Sequence, residues 1–126
     1  MAQGVITKKY REKLCKAHTG DAPLPRITKM VFGNGGIGDG GQVVEPTGEE
    51  TNLKGFLLEK TIESYSYPIT TTARYTVRLG KSELVNENIS EQGLIDEDGD
   101  LAVYKTFLPK GKDEDMEFVF DMDAIF

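Results

Sequence analysis

The chain has 126 residues, 38% hydrophobic and 29% charged, with a net charge of −6 and one cysteine. That size and mix predict one globular domain, residues 1–126, rather than a disordered chain. A single cysteine excludes an internal disulfide, and no run approaches the ~18 apolar residues of a membrane helix.

The charge is uneven. Residues 1–30 carry seven Lys/Arg against two Asp/Glu, and residues 86–126 carry three against twelve. Net acidity disfavours nucleic acid as the main partner, since phosphate binding needs positive surface. Opposite signs at the two ends suit head-to-tail packing between copies. The N-terminal MAQGVITKKY has no apolar stretch after its charges, so a signal peptide is not expected.

In chain order, Thr7–His18 reads as the one helix. Thr7 is placed to cap it, Tyr10, Leu14 and Ala17 form a narrow apolar stripe, and Gly20 lies just past the end. So narrow a stripe predicts a helix lying across a sheet. Arg26–Phe32 alternates as a strand, with Met30 and Phe32 on the core side. Gly33–Asn52 follows with no clear element, and loops this long are usually functional or disordered.

Leu57–Tyr67 reads as one strand ended by Pro68. Thr71–Leu79 is a second, with Ala73, Tyr75, Val77 and Leu79 facing inward, and the short link predicts a hairpin. In Ile89–Phe107, the sequence ISEQGLIDEDGDLAVYKTF, an Asp-Gly pair separates two apolar runs. That is a strong hairpin signal, because glycine tolerates the positive φ at which the chain reverses. Pro109-Lys110-Gly111 reads as another turn. The end, MEFVFDMDAIF, places Met116, Phe118, Phe120, Met122, Ala124 and Phe126 on one parity, as in a long half-buried strand. The fold class expected is α+β, mainly β: an antiparallel sheet or small sandwich with one N-terminal helix packed on it.

Motifs for chemistry are few. Gly33, Gly35 and Gly38 satisfy G-x-G-x-x-G after a strand, but DGGQVVEPTG cannot open the helix that holds a pyrophosphate. Asp96, Asp98 and Asp100 offer oxygens for Ca²⁺, yet the glycine sits at position 4 and position 12 is Phe107, unlike an EF-hand loop. Cys15 and His18 lie three apart on the helix, and the chain holds no further Cys or His to complete a zinc site. Paired carboxylates cluster in turns, with nothing to place two across a cleft. No catalytic, cofactor-binding or metal residue is assigned.

The order ITKKYREKLCKA, ITKMVFGNGG, TTTARYTVRL, ISEQGLIDEDGDLAVYKTF and a closing strand ending Ile-Phe resembles the N-terminal domain of phage tail-collar fibre proteins. The resemblance spans roughly Thr7–Phe126. Its most specific part is Glu91-Gln92-Gly93-Leu94-Ile95 leading to Asp98-Gly99 and Leu101. It implies a virion structural protein that attaches fibre or baseplate parts to a phage tail or tail-like particle. The expected partners are itself, as a homo-oligomer with a trimer favoured, and other tail or baseplate proteins. It offers no catalytic residues to carry over, and no cofactor, nucleic-acid or membrane partner is expected; the particle would be made in the host cytoplasm. A fibre continues into a shaft and tip, whereas this sequence ends at Phe126; as a complete chain it is expected to be a stand-alone adaptor or a baseplate-associated piece. Assembly is then the expected mechanism, with the Gly33–Thr51 loop and the charged ends meeting neighbouring subunits. The alternative is a small ligand- or carbohydrate-binding β domain, with Tyr65–Tyr75 as its aromatics.

Overall fold

A computed structural model describes residues 4–126. The protein is mainly β, with eight strands and one helix among the described residues. The order is β1 (Val5–Ile6), α1 (Lys8–His18), β2 (Ile27–Gly33), β3 (Phe56–Thr61), β4 (Ser64–Ile69), β5 (Thr72–Leu79), β6 (Asn88–Asp96), β7 (Leu101–Gly111) and β8 (Phe118–Ile125).

Two antiparallel sheets form, one of five strands in the order β1-β7-β6-β2-β3 and one of three in the order β4-β5-β8. They pack face to face. Met30, Phe32, Leu94, Ala102 and Val103 of the larger sheet share one core with Val77, Leu79, Phe120, Met122 and Ala124 of the smaller. Phe32 and Phe120 meet across the layers with ring centroids 4.9 Å apart. That distance lies within the range of a favourable aromatic pair.

α1 begins as its sequence suggests. The Thr7 hydroxyl accepts a hydrogen bond from the Tyr10 N–H and donates its own to the Leu101 carbonyl. Capping and tethering to β7 are therefore done by one side chain. Gly20, at φ 78°, ends the helix by donating to the Ala17 carbonyl. Tyr10 is the buried residue of α1, and its hydroxyl donates to the Pro25 carbonyl.

Two expectations change. Leu57–Tyr67 is two strands in different sheets: the chain leaves β3 at Thr61, crosses through Ile62 and Glu63, and enters β4. The mixed polarity there records this change of sheet, and Pro68 lies within β4 instead of ending it. Pro109-Lys110-Gly111 is not a turn, because β7 runs through it. The larger sheet is also covered on both sides in part. Val31, Leu101 and Tyr104 are buried on its outer face with Leu53 and Ile95 packed on them, so β6 is buried almost continuously and does not alternate. The β4–β5 hairpin and the β8 parity of Phe120, Met122 and Ala124 appear as read.

Candidate functional site

The Asp-Gly turn is built around a lysine. Gly99 N–H donates to the Asp96 carbonyl, Asp96 N–H donates to the Asp100 carbonyl, and Gly99 has φ 87°. A turn closed by a left-handed glycine is the three-residue hairpin loop. Asp96 is buried, and its Oδ1 accepts the N–H groups of Asp98 and Asp100. Its Oδ2 accepts from the Lys13 ammonium at 2.6 Å, and the same ammonium reaches Asp100 at 2.7 Å and Asp98 at 3.1 Å.

These three carboxylates could together hold a metal ion, but a side-chain cation already stands among them. Burial works against the Lys13 charge, yet the hydrogen bonds to Asp100, Asp96 and Asp98 outweigh it and raise the ammonium's pKa. Lys13 in turn holds Asp100 below its ordinary value. The group is a clamp between α1 and the β6–β7 turn.

The glycine-rich loop has its own anchor. Glu91 is fully buried in β6. Its carboxylate accepts the N–H groups of Gly35 at 3.0 Å, Gly55 at 2.6 Å and Lys54 at 3.1 Å, and the Tyr104 hydroxyl donates to it as well. Burial, then the bond to Glu91, raises the Tyr104 pKa. Next to it, the Ser90 hydroxyl accepts the Gly36 N–H, and the Thr106 hydroxyl donates to the Val44 carbonyl. Ile37 and Val43 bridge across the loop tip.

Gly33–Thr51 is therefore tied to its own β6 and β7. Glu91 and Ser90 accept its backbone N–H groups and Thr106 donates to its Val44 carbonyl, so side chains of the same chain hold it. The glycines serve close packing. A Cβ at Gly36 would collide with the Ser90 backbone, and one at Gly35 would meet Gly55 N at 2.6 Å. No helix follows these glycines among the described residues, so the pyrophosphate geometry is absent there. Cys15 and His18 are both exposed on α1.

A groove of about 870 Å³ lies between β7 and β8. Its origin is a change of register. Glu91 of β6 faces Thr106, but Ile89 faces Lys110, so β7 spends four steps where β6 spends two. Leu108 and Pro109 swing out while Phe107 stays packed on the core, and a proline is tolerated there because a bulge asks nothing of its missing N–H. Phe107 and Leu108 form one wall, Phe118, Val119 and Phe120 the other, and Val43 from the loop closes an end. Phe107 and Phe118 each stack near Phe120, at centroid distances of 6.4 and 5.8 Å, so the wall is continuous with the core. The rims carry Lys105 and Lys110 against Glu117 and Asp121.

Both strands present a free edge here among the described residues. β8 pairs with β5 alone, and β1 covers β7 at Val103 and Tyr104 only. At the far edge of the same small sheet, β4 is exposed along its whole length, with Tyr65, Tyr67 and Ile69 outward.

Comparison of the chain with protein families, with curated proteins and with solved structures finds no match. No helix of the described residues is long and apolar enough to cross a membrane.

Sequence reasoning missed Lys13 and Glu91 as anchors and missed the groove. Glu91 had a partial signal, a carboxylate in the middle of a strand between Ile89 and Leu94. Lys13 had none, because its partners lie 83 or more positions away. The bulge was concealed by reading Pro109 as a turn.

Proposed function

We infer that the protein is a structural component of a phage tail or tail-like particle, joining fibre or baseplate parts by subunit assembly. The observation that carries this reading is where the resemblance falls. The block Glu91–Leu101 that most resembles tail-collar fibre proteins also supplies the frame: Glu91 fastens the glycine loop, and Asp96–Asp100 fastens α1 through Lys13. Those residues set a backbone shape and leave chemistry aside, as suits a part whose role is to be held and to hold. The free sheet edges support the same reading, since unpaired strands are templates for neighbouring chains.

Partners on this reading are further copies of the chain and other tail or baseplate proteins, in a particle assembled in the host cytoplasm. The test is fractionation of particles from a producing culture, with an antibody to this chain. Co-sedimentation with intact tails is expected. Confinement to the unsedimented protein, while tails are intact, overturns the reading.

One observation favours a second reading. Tyr65 and Tyr67 stand exposed, ring centroids 6.1 Å apart, beside half-buried Tyr75. Exposed tyrosines with neighbouring hydroxyls suit a small ligand or glycan, and a glycan array decides that case.

A further inference from the structure

We propose that a second copy of this chain lays its β4 strand into the groove between β7 and β8, so that copies join head to tail along the three-stranded sheet. The proposal deepens the assembly reading and rests on it.

The sheet order β4-β5-β8 puts donor and acceptor at opposite edges of one sheet. β5 is paired on both sides, while among the described residues β4 and β8 each pair only with β5. Adding β4 of one copy beside β8 of the next continues the sheet, and every copy keeps one edge to give and one to receive. Such heterologous contacts make a ring where the rotation closes and a filament where it does not.

Natural edge strands are blunted by charge, proline or bulges. β4 has Pro68 and a register shift near its end, but Ser64–Ala73 contains no charged residue, in a chain that is 29% charged. Its outward side chains match the groove in character. Tyr65, Tyr67 and Ile69 on β4, and Leu108 and Val119 at the groove, are all at least 61% exposed. The rims balance two lysines against two carboxylates, so the groove has no net charge and suits a neutral strand over an acidic or basic peptide.

Length agrees as well. β4 stays in register with β5 over Ser64–Ser66 and shifts before Ile69, and Pro68 has no N–H to donate, so its regular outer edge is Ser64–Ser66, ~10 Å at the usual strand rise. The β8 wall Phe118–Asp121 is long enough to seat it. Pairing of backbone groups would supply affinity, and seating of alternate side chains would supply specificity.

Disulfide trapping tests this with the full chain, in a Cys15→Ser background. One preparation carries Ser66→Cys and another Val119→Cys, both exposed positions. Neighbouring strands bring Cα atoms within disulfide reach. The expected result is a covalent dimer in the oxidised mixture, little in either preparation alone, and loss of it when Leu108→Glu is added. Circular dichroism confirms that each variant is folded.

A dimer from Ser66→Cys alone would mean symmetric β4–β4 pairing and overturn the proposal. A wild-type oligomer whose mass survives Leu108→Glu and Tyr67→Glu, with no mixed cross-link, would also overturn it and leave assembly to another surface. A wild-type chain that is monomeric at every concentration would overturn both this proposal and self-assembly.

Discussion

The Lys13 ammonium lies 2.6 Å from the fully buried carboxylate of Asp96. This pair joins the only helix described to the turn between the two longest strands of the larger sheet. Replacing Lys13 by Met leaves Asp96 buried without its counter-ion. Breaking a buried pair on one side costs about 3 kcal/mol. Urea denaturation of Lys13→Met should show a loss of that order, and Ca²⁺ should return part of it by replacing the missing cation. Wild-type stability should ignore Ca²⁺, because the lysine already fills the place.

Glu91 binds the loop through three backbone N–H groups and the Tyr104 hydroxyl. Glu91→Gln turns one acceptor oxygen into a donor that faces other donors. Leaving buried polar groups unmatched costs about 1–3 kcal/mol. Hydrogen exchange should accelerate at Gly35 and Gly55 more than in β5. Tyr104→Phe should cost less, since the carboxylate keeps its backbone donors.

The glycines separate packing from phosphate binding. Gly36→Ala should destabilise strongly, since its Cβ has nowhere to go against Ser90, whereas Gly38 has nothing nearer than 3.4 Å and Gly38→Ala should be tolerated. A phosphate-binding reading would have made Gly38 as critical as Gly33 and Gly35. Thermal melts of the two alanine variants decide it.

Acid should weaken the fold through identified carboxylates. The hydrogen bond from Lys13 holds Asp100 below its ordinary 3.8. The Lys60 bond holds Glu83 below 4.5. Burial pushes Glu50 upward, but the backbone N–H groups of Thr47 and Gly48 outweigh it and leave it below 4.5. Each folded pKa lies under its unfolded value, so the unfolded chain binds more protons in this window. Their contribution is present above pH 4.5 and is lost as pH falls through these groups' folded values. Lys13 is shifted upward from 10.5, so its share is present below pH 10.5 and is lost as pH rises beyond it. Denaturation against pH should show both limbs, and Lys13→Met should flatten the alkaline limb and part of the acid one.

Legibility followed the range of the interactions. The helix, its Thr7 cap and the β8 parity depend on neighbours in sequence, so pattern alone disclosed them. Met30, Phe32, Val77, Leu79, Phe120 and Met122 were readable as core for the same reason. The break at Ile62–Glu63 was not, because only the partner strand decides that β3 and β4 belong to different sheets. The glycine loop looked free because its stabilising groups, Ser90, Glu91 and Thr106, lie far along the chain. The groove was the least readable feature. It arises from a register shift opposite Ser90, which no periodicity records.

The central claim, that this domain works by assembling with copies of itself, is tested most directly by native mass in solution across protein and salt concentration. An oligomer, ring or filament, that forms with rising concentration and persists in high salt is predicted, because the proposed contact is an uncharged strand in an apolar groove. A monomer at every concentration and salt would contradict the claim.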